Sequence, residues 1–261
     1  MPQIKTTNTS TPDALQAQLD QITRWLSEIY GAGLLGIYLH GSLAMGCFNT
    51  QRSDLDLLAI TGSPPSRAQF HATAGALLAI SQDPAPVEIS LCHYTQLHPW
   101  QYPPPFDFHF SEIWRARMEA HVAGATDLFV LEQRDPDLAA HCMVTRRRGL
   151  RLAGVAITAA IPEPPWEDYL DAIDDDLRTV QDRPGYDPVD AVLNACRVWA
   201  AHAEHQVLSK WEGAEWALRR IPAAHRAIVV AAQACYAGKS TLAALPPEAV
   251  QRCLAWIMAQ V

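Results

Sequence analysis

Hydrophobic positions recur with two different spacings along the first half of the chain. Apolar residues follow a helical spacing from Pro12 to Tyr30, with Thr11 placed as the N-cap, and a second amphipathic helix is indicated over residues 66–80. Between and after these helices, short segments that are apolar throughout or that alternate with polar residues indicate β-strands. The segments predict strands at residues 36–39, at 54–60, at 87–91 and at 107–114.

The second half of the chain shows mainly helical periodicity. Residues 127–160 predict helix with short breaks, including 137–151, and Pro162, Pro164 and Pro165 then interrupt the pattern. We therefore place a domain boundary between residues 161 and 162. Beyond it, short connections between amphipathic segments predict an antiparallel bundle, with helices at residues 166–181, 188–205, 213–221, 223–237 and 246–260.

Taken together, these patterns predict an α/β (α+β) domain over residues 1–161 and an all-α helical bundle domain over residues 162–261. The order helix, strand, strand, helix, strand in the first domain is compatible with a mixed sheet that is backed by helices on one side.

Two acidic side chains stand out on the second predicted strand. Asp54 and Asp56 are two residues apart, so both point to the same face of the strand. Carboxylate oxygens suit Mg²⁺, which takes one or two protein carboxylates and completes its coordination with water and substrate phosphates. The upstream Gly41-Ser42 turn can bring backbone N–H groups and a hydroxyl close to a phosphate. A solvated strand end would be the simpler interpretation of an isolated Asp-x-Asp pair, but the Gly-Ser turn between two apolar strands makes this pattern more specific.

A third acid lies on the next predicted strand. Residues 87–91 alternate, so Glu88 and Ser90 share one face while Val87 and Ile89 share the other. Glu88 is the candidate third carboxylate of the site. The alternative is a charge that keeps an edge strand soluble, and alternation alone does not distinguish the two.

Composition narrows the classes of partner. The net charge is −8, from 20 basic and 28 acidic side chains, which argues against a nucleic-acid substrate and favours a cationic small molecule. The chain contains no apolar run that is long enough for a membrane span, and residues 1–10 lack the layout of a secretory signal. We therefore expect a cytoplasmic protein that does not bind membranes. The six cysteines are scattered, which predicts buried free thiols.

The combination of Gly41-Ser42 with Asp54-x-Asp56 resembles the motif of the nucleotidyltransferase superfamily related to DNA polymerase beta. That superfamily completes its site with a third carboxylate on a later strand, and Glu88 is the matching residue. The resemblance implies Mg²⁺, as one or two ions, on Asp54 and Asp56, with ATP as co-substrate.

Two further stretches indicate one family within this superfamily. Tyr94-x-Gln-Leu-x-Pro-Trp, a Pro-Pro pair and Phe-x-Glu-x-Trp114-Arg resemble the aminoglycoside 3''(9)-adenylyltransferases, which modify streptomycin and spectinomycin. The second domain adds the succession Arg197-x-Trp, Ser-Lys210, Ala-x-Trp, Ile-Pro and Tyr-x-Gly, which is similar to the pattern of the same family.

The resemblance also implies roles for single residues. Arg197 would pack near the adenine, Lys210 would reach the triphosphate, and Gly41 and Ser42 would hold the β- or γ-phosphate. Trp114 would form a wall of the drug pocket, and Asp187 matches an acid at the cleft. The simpler interpretation is a core aromatic for Trp114 and surface cations for Arg197 and Lys210.

One departure concerns the acceptor. Family members that accept streptomycin carry a Trp and an Asp where a gap-free count places Arg178 and Arg183. Asp182 or Tyr186 could substitute after a small loop shift. Because spectinomycin-specific members also lack the Trp/Asp pair, the sequence favours spectinomycin over streptomycin.

The predicted function is transfer of AMP from ATP to a hydroxyl of an aminocyclitol or aminoglycoside antibiotic, with Glu88 contacting that hydroxyl as the general base and resistance as the outcome. We expect a monomer. The alternatives are a nucleotidyltransferase for another small molecule or a protein, and a catalytically silent nucleotide-binding module.

Overall fold

The computed structural model describes residues 12–182 and 186–261. The chain divides into two compact units, residues 1–168 and residues 169–261, and each is described by itself. The domain boundary predicted between residues 161 and 162 stays a prediction. The predicted cap, Thr11, lies outside the described residues.

The first unit is built on a five-stranded sheet. Its strands are β1 (Leu34–Leu39), β2 (Leu55–Thr61), β3 (Val87–His93), β5 (Phe108–Phe110) and β7 (Leu150–Gly154), while β4 (Pro105–Phe106) and β6 (Gln133–Arg134) form a separate pair. The order is β5-β3-β2-β1-β7, in which β2 and β3 are parallel and the other neighbours are antiparallel. The predicted mixed sheet is therefore confirmed.

Both faces of this sheet are covered, so the prediction of helices on one side only is wrong. Leu57 and Ala59 of β2 belong to a core that includes residues of the first and third helices, whereas Leu58 and Ile60 point into a second core. That second core contains Leu138, Cys142 and Ala160, which come from later helices. The helices of this unit are α1 (Pro12–Tyr30), α2 (Gly41–Ala44), α3 (Arg67–Ile80), α4 (Tyr94–Leu97), α5 (Arg115–Val122), α6 (Asp137–Arg148) and α7 (Ile157–Ala160).

Two stretches depart from the predicted secondary structure. Residues 127–160 are predicted to be helical with short breaks, but α6 ends at Arg148, Gly149 is extended, and β7 then pairs with β1. Leu150 and Leu152 provide a short alternating pattern that becomes a strand only because β1 offers an edge. The strand predicted over 107–114 ends at Phe110, and residues Glu112–Trp114 form a 3-10 turn.

The second unit is helical, as predicted. Asp187 caps the second of its helices by accepting a hydrogen bond from the backbone N of Val189 at 2.8 Å. The helices are α8 (Trp166–Asp182), whose first residues belong to the first unit, α9 (Pro188–Glu204), α10 (Lys210–Leu218), α11 (Ala223–Tyr236) and α12 (Pro247–Met258).

The apolarity of the helices and the state of the cysteines were both predicted from composition. Among the described residues, no helix combines the length and the apolarity that crossing a bilayer requires. All six cysteines are buried free thiols, which confirms that prediction.

Candidate active site

The predicted acids converge on one face of the sheet. Asp56 of β2 and Glu88 of β3 are register partners in the parallel ladder. Both point to the face that carries Leu58 and Ile60, because side chains alternate along each strand. Asp54 directly precedes β2, and its charge acts on Glu88.

The Gly-Ser turn lies against this acidic pair. Gly41 begins α2 with φ +62°, and a β-carbon placed on it would lie 1.7 Å from Oδ2 of Asp56. The backbone N of His40 donates to the carbonyl O of Asp56 at 2.9 Å, which fixes the turn to β2. The Ser42 hydroxyl is buried and has no hydrogen-bond partner among the residues described. Only glycine at residue 41 leaves room for the carboxylate.

Helix α6 contributes two residues that the sequence analysis did not single out. Asp137 is its first residue, and Nε2 of His141, one turn later, lies 3.1 Å from Oδ2 of Asp137. Glu88, Asp137 and His141 each place one ligand atom within 4.8 Å of the others. The i,i+4 spacing of an acid and a histidine beside the buried residues Leu138 and Cys142 was the available signal.

Burial and neighbouring charges shift the pKa of His141 in opposite directions, and burial and the His141 charge do the same to the pKa of Glu88. Burial alone would lower the pKa of His141, but the carboxylates of Asp137, Glu88 and Asp56 outweigh it and raise the pKa to about 10. For Glu88, burial raises the pKa above its ordinary value; the His141 charge lowers it, and Asp137 and Asp54 raise it further. An imidazolium at His141 therefore partly neutralises the carboxylates.

A second histidine lies against the first. The His40 and His141 ring centroids are 4.9 Å apart. Burial, followed by the neighbouring His141 charge, holds the pKa of His40 well below its ordinary value. His40 is therefore neutral near pH 7.

A cavity of about 130 Å³ lies beside β5, the strand that pairs with β3. It is lined by Trp114, His109, Arg117 and Gln133 among others. His109 Nδ1 lies 3.0 Å from the hydroxyl of Ser90, which shares its face of β3 with Glu88. Burial lowers the pKa of His109 to about 4, so this ring is neutral.

Trp114 both packs against the core and lines this cavity. The guanidinium carbon of Arg117 lies 4.1 Å from the Trp114 ring centroid, so a cation already covers one face of the indole. The structure thus places Trp114 on a cavity wall, and its contact with a drug stays a prediction.

The candidate residues of the second unit pair with acids of that unit. Arg197 Nε donates to Oδ1 of Asn194 at 2.5 Å, and its Nη2 lies 3.9 Å from Asp176. Lys210 Nζ lies 3.1 Å from Asp190. These side chains are partly exposed.

Arg178 and Arg183 are the two residues on which the predicted preference for spectinomycin rests. Arg178 is exposed, and its Nη2 lies 4.0 Å from both Asp171 and Asp175. Arg183 lies outside the described residues.

A sheet carrying Asp56 and Glu88 in register, with a Gly-Ser turn against the first, is the arrangement that the nucleotidyltransferase motif predicts. Comparison with known proteins agrees. The sequence model described as the aminoglycoside adenylyltransferase C-terminal domain matches residues 160–260. The family resemblance predicted from the motifs is confirmed: the chain is similar to aminoglycoside adenylyltransferases along most of its length.

The relatives cover both parts of the chain. A spectinomycin 9-adenylyltransferase of Staphylococcus aureus is 25% identical over 228 residues, which is 85% of each chain. An aminoglycoside (3'') (9) adenylyltransferase of Shigella flexneri is 25% identical over 239 residues, 86% of this chain and 88% of the relative. Among solved structures, the spectinomycin adenyltransferase AAD(9) of Enterococcus faecialis, with ATP and spectinomycin, matches with a TM-score of 0.79 at 19% identity, covering 94% and 98% of the two chains.

Proposed function

We propose that the chain transfers AMP from ATP to a hydroxyl of an aminocyclitol or aminoglycoside antibiotic, with the 9-hydroxyl of spectinomycin as the favoured acceptor, and so confers resistance. The observation that carries the proposal is the alignment of Asp56 with Glu88 in the parallel ladder, with Gly41 against Asp56. The similarity to enzymes named for spectinomycin and for aminoglycosides supports it.

The donor set fits Mg²⁺. Asp54 and Asp56 offer carboxylate oxygens, and the missing β-carbon at Gly41 leaves space directly beside Asp56. When bound, Mg²⁺ supplies charge neutralisation of the triphosphate and of the leaving pyrophosphate. In our proposal Ser42 contacts the β- or γ-phosphate, because it follows Gly41, which lies against Asp56, and its buried hydroxyl has no partner among the described residues.

Glu88 acts as the general base in this proposal. Its carboxylate accepts the proton of the acceptor hydroxyl, whose oxygen forms a bond to the α-phosphorus as the bond to the pyrophosphate oxygen breaks. Burial and the charges of Asp137 and Asp54 raise the pKa of Glu88, which makes it a stronger base than an exposed glutamate. The charge of His141 lowers the pKa of Glu88 and that of Asp137 raises it, so the two partly offset each other.

Arg197 and Lys210 are proposed to contact ATP, on the strength of the family motif. A planar guanidinium stacks on adenine, and an ammonium pairs with phosphate. Both side chains are partly exposed, and each lies beside a carboxylate that a nucleotide phosphate could replace as the partner.

The acceptor is proposed to contact Glu88, Trp114 and Asp187. Arg117 over Trp114 supports spectinomycin over streptomycin, because a guanidino group of the drug would meet a like charge at that ring. In this proposal Arg178 adds a second positive charge that disfavours the guanidino groups of streptomycin. We also propose a cytoplasmic monomer that binds neither nucleic acid nor membrane, in line with the net charge of −8.

The test is pyrophosphate release by the purified chain with ATP and Mg²⁺, using spectinomycin, streptomycin and a lincosamide in turn. Release with spectinomycin alone is expected. Release with streptomycin as well would contradict the role given to Arg117 and Arg178. Release with none of the three, while ATP still binds, would contradict the drug assignment and favour another acceptor or a silent nucleotide-binding module.

A further inference from the structure

Asn194 on α9 is a buried amide whose oxygen and nitrogen are both hydrogen-bonded. The residue is only 3% exposed, so each end of the amide needs a partner within the protein. Its Oδ1 accepts from Nε of Arg197 at 2.5 Å, and its Nδ2 donates to Oδ2 of Asp176 on α8 at 2.8 Å. Within the second unit, the amide therefore links a carboxylate of α8 to a guanidinium of α9.

The hydrogen bond from Nε restricts the orientation of the Arg197 guanidinium. The N–H of Nε lies in the plane of the group and next to the aliphatic stem, so a bond from it limits rotation of that plane. Asn194 precedes Arg197 by three residues, a spacing that places two side chains beside each other on a helix. Because Asn194 is itself held by Asp176, the plane of the guanidinium is held from both helices.

The group that orients Arg197 is neutral, in contrast to the partner of Lys210. Lys210 Nζ forms a direct ion pair with Asp190 at 3.1 Å. Arg197 has the Asn194 amide at hydrogen-bond distance, whereas its Nη2 lies 3.9 Å from Oδ2 of Asp176, too far for a hydrogen bond. Asn194 thus orients the cation without neutralising its charge. A planar cation that is held at one edge, with a side chain that is 28% exposed, suits stacking on an aromatic base.

We propose that Asn194 and Asp176 are positioning residues for ATP: two hydrogen bonds in series hold the Arg197 guanidinium in the plane that stacks on the adenine. This inference rests on the proposed contact between Arg197 and ATP, and it adds what orients the side chain before the nucleotide binds. Ordering a long side chain on binding costs affinity, so a guanidinium that is already held contributes more than one that rotates freely. Loss of either positioning residue therefore weakens ATP binding by about threefold to tenfold.

The experiment is equilibrium binding of ATP, with Mg²⁺, to the full-length protein in the absence of an acceptor. Asn194→Leu keeps a branched side chain and removes both hydrogen bonds, and Asp176→Ala removes the bond to Asn194 only. Each should weaken ATP binding by about threefold to tenfold. Asp176→Asn retains an oxygen that accepts from Nδ2 of Asn194, so it should recover most of the affinity that Asp176→Ala loses. Equal affinities of the two Asp176 variants would contradict positioning by a hydrogen bond.

A double-mutant cycle tests whether the effect passes through Arg197. In a chain that already carries Arg197→Ala, adding Asp176→Ala should weaken ATP binding little further, because the side chain that Asp176 orients is gone.

Asp174→Ala is the matched control for helix packing. Oδ1 of Asp174 lies 2.8 Å from Nε2 of His202, a contact between the same two helices that does not involve Arg197. This variant should bind ATP as the wild type does. Far-UV circular dichroism identifies a variant that fails to fold. If Asn194→Leu does not fold, the variants at Asp176, whose side chain is 45% exposed, carry the test.

Three further results would overturn the proposal. Unchanged ATP affinity in the folded variants at Asn194 and Asp176, while Arg197→Ala weakens binding, would contradict the positioning role alone. Equal weakening by Asp174→Ala and Asp176→Ala would assign the effect to helix packing. Unchanged affinity of Arg197→Ala would contradict the proposed contact of Arg197 with ATP, and the positioning role with it. A wild type that does not bind ATP would contradict the proposed function itself.

Discussion

The carboxylate of Asp56 occupies the space that a β-carbon on Gly41 would need: such an atom would lie 1.7 Å from Oδ2 of Asp56 and 2.5 Å from its Cγ. The glycine also adopts φ +62°, which costs any other residue about 1–2 kcal/mol. The turn therefore determines where the carboxylate can lie.

Gly41→Ala should displace the Asp56 carboxylate and reduce AMP transfer by about a hundredfold or more, since a displacement of about 1 Å in a catalytic group has that effect. Pyrophosphate release with spectinomycin measures it. Gly124→Ala is the matched control, because Gly124 has φ +76° but its β-carbon would meet nothing within 4 Å. Both variants should lose stability through the positive φ, and only the first should lose activity; equal activities would contradict the steric role of Gly41.

Glu88→Gln keeps the shape of the side chain and removes the base. Turnover should fall by about 10²–10⁴-fold while ATP affinity stays close to that of the wild type. Asp56→Asn should weaken Mg²⁺-dependent ATP binding as well as turnover, because it alters a metal ligand. Single-turnover rates and equilibrium ATP binding separate the two effects. A Glu88→Gln variant with wild-type turnover would exclude the base role.

The common face of Asp56 and Glu88 could be predicted from the sequence, because it depends on the alternation of side chains within each strand. The alternation in β2 and β3 places Asp56 and Glu88 on one face, and parallel pairing brings them into register. The C-terminal helices were likewise predictable, since proline and glycine mark their ends and the apolar spacing is regular.

The parts that were missed depend on distant contacts. Strand β7 exists because β1 offers it an unpaired edge, and no property of residues 150–154 alone distinguishes it from the end of α6. Asp137 and His141 resemble a solvent-exposed i,i+4 pair in the sequence, and only the packing of α6 over β2 and β3 brings them to Glu88.

A surface cluster around Glu112 predicts a pH dependence of stability. Arg115 donates to both carboxylate oxygens, from Nε at 2.7 Å and from Nη2 at 3.0 Å. Chiefly through this hydrogen bonding, against a smaller opposing effect of burial, the pKa of Glu112 falls from 4.5 to about 2. A lowered folded-state pKa stabilises the protein above the unfolded-state value, and this contribution is lost as the pH falls from 4.5 towards 2.

Glu112→Gln should therefore lower the free energy of unfolding by about 1–2 kcal/mol at pH 7, after allowance for solvent screening. The difference from the wild type should shrink as the pH falls below about 4.5. Glu119→Gln is the control, since the Glu119 side chain is 58% exposed and lies 3.8 Å from Arg115. Urea unfolding at several pH values measures both variants. A Glu112 effect that is independent of pH would contradict the assigned cause.

The close approach of Gly213 to Arg197 predicts how a larger side chain at residue 213 affects the stability of the second unit. A β-carbon there would lie 2.7 Å from Cα of Arg197 and 2.8 Å from its backbone N, so α10 approaches the backbone of α9 closely. Backbone atoms cannot move aside as a flexible side chain can. Gly213→Ala should therefore push the helices apart and destabilise the unit by about 1–3 kcal/mol, which exceeds the gain in helix propensity of about 1 kcal/mol.

Gly75→Ala, within α3, supplies the comparison, because a β-carbon there meets nothing within 4 Å. This variant should be more stable than the wild type by about 0.5–1 kcal/mol, since alanine restricts the unfolded chain without a clash. Urea unfolding of the full-length variants measures both changes. Opposite signs are expected, and a stabilised Gly213→Ala would mean that α10 does not need glycine for its approach to Arg197. Because Arg197 is a proposed ATP ligand, Gly213→Ala should also weaken ATP binding, whereas Gly75→Ala should leave it unchanged.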